Sequence, residues 1–336
     1  MKLGLLAGLA IVIALVLWQG VADLIDILAG AGWGILLVSL FIPPDLLLRS
    51  ASLQVLFTPN RSPRYKDTVF ATWIGASVNF LLPVATVGGE IVKARILVLH
   101  GTQSIDAAAS VVLDKTVQAT SVLLWAVIGI VILISKVPAN EPTVLVAIVG
   151  ATLLTLGIAG FVVVQWTGAF GMFAKSITRL SNGSFRSLVD NAADLDATVR
   201  ALYRRPGILV MSSLLRLARH IVIAAEVWVV AWLIGYPIGF AEAVMLNSLA
   251  VALRSAAFVV PAGIGVQEIG YIVIGALIGI PSDAMLAVSL MTRLGRLIES
   301  LPGLLAWQHT EGKNYRRRQA EATSLESTVV SPPPPF

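Results

Sequence analysis

The sequence contains no cysteine and only three histidines among its 336 residues. Disulfides, thiolate nucleophiles and cysteine metal sites are therefore excluded, and a histidine-built metal centre is disfavoured. Charge is scarce as well. Asp, Glu, Lys and Arg make up 13% of the chain, against roughly 25% in soluble domains. Also missing are a Gly-x-Ser-x-Gly elbow, a Walker loop and a His-Glu-x-x-His helix. These absences predict no catalytic residue, no cofactor and no metal site.

Apolar residues are abundant: 57% of the chain, with a mean hydropathy of +0.87. This composition is that of an integral membrane protein folded as one all-α polytopic helical bundle. The net charge of +5 reads as cytoplasmic loop charge and not as affinity for nucleic acid. Six stretches approach the roughly 20 residues that a membrane helix needs: 3–21, 33–53, 107–135, 143–166, 208–233 and 284–307. The first has one lysine before an apolar run and so mimics a signal peptide. It lacks a small-x-small cleavage site, so a retained helix is expected.

Between the spans lies a phrase that occurs twice. Pro83-Val84-Ala85-Thr86-Val87-Gly88-Gly89-Glu90 is echoed by Pro261-Ala262-Gly263-Ile264-Gly265-Val266-Gln267-Glu268, with the proline seven residues before the acid in both copies. Ser77 and Phe80 upstream align with Ser255 and Phe258. Downstream, Asp106-Ala107 aligns with Asp283-Ala284 after one residue of slippage. A proline-glycine break in apolar sequence cannot face lipid, because its freed backbone groups would lack partners. Paired breaks in two halves of a chain point to a transporter built from repeats, with its site near the breaks. The repeat cores are expected at 68–135 and 240–307 within one transmembrane domain over 1–310. In the first core, 68–82 and 90–99 are each too short to span untilted. In the second, 242–260 and 266–280 are longer, and two full spans remain an alternative to a re-entrant pair.

Loop charges set the orientation. Asp23 and Asp26 follow the first span without a nearby cation and read as external. Arg61, Arg64 and Lys66, the loop over 168–206 with Lys175, Arg179 and Arg186, and a tail with Lys313 and Arg316 read as cytoplasmic. The segments 235–241 and 279–283 carry no basic residue and read as external. The two broken regions would then enter from opposite faces as an inverted repeat, with both termini cytoplasmic. Val189, Ala193, Asp196, Val199 and Tyr203 recur at helical spacing, which fits either an interfacial helix or a solvated connector. The stretch 311–336 is expected to be a disordered cytoplasmic tail.

Pro83 to Arg95, together with Ala109-Ser110-Val111-Val112-Leu113-Asp114, resembles a known family, the flippase-like proteins related to the membrane domain of lysylphosphatidylglycerol synthase. Pro261 to Glu268, the helix of Arg293 and Leu301-Pro302-Gly303 fit that family's C-terminal pattern. The chain is most similar to the hopanoid-biosynthesis-associated branch. The resemblance implies a bacterial inner-membrane protein that moves or presents lipid, hopanoids or related lipids among the candidates. The synthase has a soluble aminoacyl-transferase region after its membrane domain. The chain ends at Phe336 without room for one, so the synthase reaction is not expected here.

Glu90 and Glu268 lead the candidates for a substrate or transport site, since an intramembrane carboxylate needs a partner or a proton. Each should begin a half-helix, where a plainer role as a first-turn cap is also open. Gly88, Gly89, Gly263 and Gly265 beside them would admit a headgroup or another backbone. Lys93, three residues on from Glu90, shares its face; Arg95 points elsewhere. Asp114, Lys115, Arg254, Arg293 and Arg296 are deep charges expected in buried networks. Arg296 can pair with Glu299, and Asp45 with Arg49, one turn apart in each case. Asn79 could satisfy backbone freed by the first break.

Three function classes compete on this reading. They are a lipid transporter, an integral enzyme modifying a lipid headgroup, and a scaffold for lipid-biosynthesis proteins. The expected partners are a membrane lipid, the bilayer and, in the third case, those proteins, with no nucleic acid.

Overall fold

A computed structural model of the chain describes residues 34–82, 88–136, 152, 192–256 and 265–330. The spans predicted at 3–21 and 143–166, the segment 168–191, residues 83–87 and 257–264 of the repeated phrase (Gly263 included) and 331–336 lie outside the described residues. Among the described residues the regular elements are all helical. Three helical stretches there are long and apolar enough to cross a membrane: Leu36–Val55, Ser104–Lys136 and Pro206–Leu233.

The first of these is divided. Helix α1, Gly34–Ser39, turns at Leu40 and Phe41 into α2, Ile42–Val55, whose first turn takes Pro43 and Pro44 where no intrahelical N–H is required. A 3₁₀ turn, Pro59–Arg61, leads to α3, Tyr65–Leu81. That helix stops at Leu82, which is extended (φ −108°, ψ 145°), as the residue before a proline must be. Helix α4, Gly88–Leu99, resumes after the break and packs back against α3. The long α5, Ser104–Lys136, follows. Beyond it come α6, Ala192–Tyr203, and α7, Pro206–Leu233. The second hairpin is α8, Phe240–Ala256, with α9, Val266–Leu277, and α10, Ser282–Val330, closes the chain.

The repeat survives in the helix boundaries. Gly88 and Val266, Leu99 and Leu277, and Ser104 and Ser282 are each 178 residues apart. So are Gly101 and Gly279, both at positive φ (95° and 75°). Each closes its half-helix with the same pair of bonds: Thr102 N to Leu97 O and Gly101 N to Val98 O, Ile280 N to Gly275 O and Gly279 N to Ala276 O. This is a Schellman cap, in which glycine takes the left-handed position at little cost. At the level of helices the repeat needs no slippage.

The two hairpins exchange partners. Helix α5, which follows the first hairpin, lies along α8 of the second, and α10, which follows the second, lies along α3 of the first. A glycine makes each contact close. A Cβ on Gly129 would stand 1.9 Å from Ser248 Oγ, and one on Gly303 would stand 2.1 Å from Ser77 Oγ. Ion pairs mark the two ends of α5: Arg61 with Asp106 at 3.6 Å, and Lys136 with Glu242 at 3.1 Å. The base of the first hairpin thus lies at one end of α5 and the start of the second at the other.

Among the described residues an apolar cluster forms around each hairpin, with further clusters along α5. Ile74, Ile96, Leu97 and Leu297 fill the first; Met245, Leu246, Met285 and Met291 fill the second. Helix α6 packs Leu195, Val199 and Leu202 onto α5. Helix α10 runs on to Val330, through the segment from 311 where disorder was expected. Strong helix formers in that segment, Lys, Arg, Gln, Ala and Glu, explain its continuation.

Candidate functional site

The charged side chains of these helices gather in three buried groups. The first lies at the first break. Gly89 N donates to Asn79 Oδ1 at 2.8 Å, so the asparagine satisfies backbone that the break frees. The hairpin is tight there, because a Cβ on Gly89 would stand 2.1 Å from Gly75 O. Asn79 Nδ2 in turn donates to Glu90 Oε1 at 3.1 Å. Glu90 also meets Lys93 at 2.6 Å and Lys115 at 2.9 Å. Lys93 reaches on to Asp114 at 3.2 Å, and Asp114 pairs with Arg216 of α7. Arg216 Nε donates to Ser52 Oγ, which lies 2.8 Å from Ser212 Oγ. Three cations thus face two carboxylates, Glu90 and Asp114. Lys93, Asp114 and Arg216 are all at most 5% exposed.

The second group joins α2, α7 and α10. Asp45 is surrounded by three guanidinium groups, Arg49 at 3.3 Å, Arg219 at 2.7 Å and Arg296 at 2.9 Å. Arg296 also reaches Glu226 at 3.2 Å and Glu299 at 3.5 Å, and Arg49 pairs with Glu299. Three arginines balance three carboxylates. The sequence-predicted pairs Asp45–Arg49 and Arg296–Glu299 are present, embedded in a larger network.

At the second break Glu268 plays two roles. Its Oε2 accepts from Gly265 N at 2.8 Å, the first-turn cap that was the plainer expectation, and its Oε1 lies 3.0 Å from Arg293. Gly265 itself sits at φ 78° before the first turn of α9. Arg254 donates to Gln267 at 3.3 Å, and Gln267 to Ser289 at 3.3 Å. Here two arginines face one carboxylate. Arg95, by contrast, leaves its break altogether and holds Glu311 of α10 through two bonds.

The groups adjoin along two helices. Arg216 and Arg219 are three residues apart on α7, one in the first group and one in the second. Arg293 and Arg296 are three apart on α10, linking the third group to the second. Linked through α7 and α10 in this way, the three groups make a polar layer that runs from α4 to α9. Glu90 and Glu268, expected on opposite sides of one shared cavity, share no partner among the described residues; the arginine–carboxylate group of Asp45 stands between theirs. Each half-helix packs against its own hairpin partner and the helix that follows it. The α3–α4 contact is close at Gly75 and Gly89.

Sequence reasoning overlooked Arg216, Arg219 and Glu226. All three lie in the apolar α7, where Ser212, Arg216, His220, Ile223 and Glu226 are buried at helical spacing. Intramembrane charge was the available signal. Among the described residues no group of His, Asp and Glu has the makings of a metal site.

The family described as Lysylphosphatidylglycerol synthase TM region matches residues 5–303, and the chain belongs to that family. No curated protein matches the chain, nor does any solved structure.

Proposed function

We propose that this member of the family is a bacterial inner-membrane lipid transporter of the flippase type, acting on hopanoids or related lipids, without a catalytic step of its own. One observation carries the reading: three adjoining groups of buried ion pairs form a polar layer between the half-helices α4 and α9 inside an apolar bundle. Charge is expensive at membrane depth and persists where it serves a path or a site. The exchanged helices, the shared register of 178 residues and the bases of the hairpins at opposite ends of α5 support an inverted repeat. Arg61, Arg64 and Lys66 orient the first hairpin's base toward the cytoplasm, and with it the Arg95–Glu311 end of α10. The first and last residues fall on the cytoplasmic side in this scheme. A headgroup would move along the polar layer while its tails stay in the bilayer between helices.

The competing reading of a headgroup-modifying enzyme would place acid–base work on Glu90, Asp114 and Lys115. Each of these is tied in ion pairs. Lipid sidedness in cells lacking the protein separates the classes. Loss of a transporter leaves the lipid made but in the wrong leaflet. Loss of an enzyme removes a product, and loss of a scaffold lowers several products together; either result would overturn the proposal.

A further inference from the structure

The three carboxylates of the second group are not served alike. Asp45 meets three arginines, and Glu299 meets two, Arg49 and Arg296. Among the described residues Glu226 meets one, Arg296 at 3.2 Å, and the other two carboxylates draw on that same guanidinium at 2.9 and 3.5 Å. Glu226 is 3% exposed. The titratable and charged groups that face it are Arg219 on its own helix, Asp45 on α2, Arg296 and Glu299 on α10, and Tyr271 on α9. A Cβ on Gly295 would stand 3.4 Å from Glu226 Oε1 and 3.2 Å from Cγ1 of the buried Val38, so that oxygen lies at an apolar wall. Withdrawal from water and like charges alongside both favour the neutral, protonated form of a carboxyl group. Of the carboxylates around Arg296, Glu226 is the one that can be neutralised with the loss of a single, shared ion contact.

We propose that Glu226 carries a proton, taken up and released once in each transport cycle, so that lipid transfer is coupled to proton movement. The inference rests on the transport reading above and adds to it the coupling ion. The step is a proton transfer alone. A proton from the aqueous phase on one side adds to a carboxylate oxygen of Glu226, and the cycle returns it to water on the other. Intramembrane carboxylates commonly serve such relays. The neutral acid no longer attracts Arg296, which is left to Asp45 and Glu299. Arg296 stands three residues from Arg293, the partner of Glu268, on α10. The protonation state of Glu226 is thereby communicated to the start of α9.

The purified full chain in sealed vesicles that carry a hopanoid labelled on its polar side chain tests the coupling. The readout is the leaflet distribution of the label at steady state. With one proton per lipid, a difference of one pH unit across the membrane should drive the leaflet ratio toward about tenfold, and reversing the difference should reverse the ratio. The result does not depend on which way the protein faces, because coupling fixes the direction of lipid relative to proton. Glu226→Gln, held in the neutral form, should lose the response, and Glu226→Asp should keep it at a lower rate. A second readout needs no lipid. The infrared band of a buried carboxylic acid should titrate in the wild-type chain and be missing from Glu226→Gln, while Asp283→Asn, at an exposed position, retains it. A wild-type ratio that ignores the gradient, or a Glu226→Gln variant that still follows it, overturns the coupling and leaves transport standing. An infrared band unchanged in Glu226→Gln assigns the proton to another group and overturns the proposal as well. No transfer by the wild type at any pH refutes the transport reading, a result distinct from transfer that ignores the gradient.

Discussion

Glu90 and Lys115 meet at 2.9 Å across two helices, one the half-helix after the first break and the other the long α5. The contact ties the break to the frame of the bundle, and the same carboxylate holds Lys93 at 2.6 Å. Glu90→Gln leaves Lys93 with Asp114 and Lys115 with the neutral amide of Gln118. Transfer should fall about tenfold or more, and Glu90→Asp should keep a larger part of it at shorter reach, since a buried cation left without its partner costs about 3–5 kcal/mol. Removing one cation as well, in Glu90→Gln with Lys115→Gln, should recover stability relative to Glu90→Gln alone. A double-mutant cycle in thermal unfolding checks this, and additive losses would show the pair to be uncoupled.

A second prediction concerns Asp45, shared by three arginines. Asp45→Asn should destabilise the protein by about 3 kcal/mol or more, because three guanidinium groups would crowd an uncharged amide. Denaturation of the purified protein measures it. A loss below about 1 kcal/mol, typical of an exposed pair, would mean that the group is solvated and not part of a buried layer.

Much of this was legible beforehand. The first proline-glycine break marked where α3 stops, because proline and glycine act locally and their effect does not wait for packing. The spacing of Glu90 and Lys93 and of Arg296 and Glu299 was legible for the same reason, since helical periodicity decides which side chains share a face. Contacts between distant helices were not. Nothing in the residues around Asp45 says that Arg219 and Arg296 converge on it, 174 and 251 positions away. The exchange of α5 and α10 between hairpins depends on the small residues Gly129 and Gly303, whose value appears only when Ser248 and Ser77 are placed against them. The breaks themselves, 83–87 and 257–264, lie outside the described residues, so the shared cavity expected between them stays an expectation.

That packing yields a third prediction. Gly89→Ala would place a methyl 2.1 Å from Gly75 O, a backbone atom that cannot swing aside. Gly303→Ala would press on Ser77 and Trp73 in the same way. Both should lower the unfolding midpoint, by about 1–3 kcal/mol of overpacking. Gly207→Ala, with nothing within 4 Å, is the control and should be neutral or better. Equal midpoints for all three variants would refute the close approach of α3 to α4 and of α10 to α3.

Topology offers a fourth. The natural absence of cysteine allows single thiols to be read without background. Gln103 and Pro281 are both exposed and stand 178 residues apart, just before the long helices of the two repeats. Gln103→Cys should label from the cytoplasm and Pro281→Cys from outside, with Ser62→Cys following the first and Pro237→Cys the second. Labelling of Gln103→Cys and Pro281→Cys from one face would end the inverted-repeat scheme.

The most direct measurement is lipid transfer by the purified full chain in sealed vesicles. A hopanoid labelled on its polar side chain is placed in both leaflets, and a membrane-impermeant reductant quenches the label it can reach. In protein-free vesicles only the outer-leaflet label is lost. With the wild-type chain the inner-leaflet label should be lost as well, and Glu90→Gln should return the signal toward the protein-free value. Wild-type vesicles that quench no further than empty ones, or a Glu90→Gln variant that transfers as fast as wild type, would contradict the account.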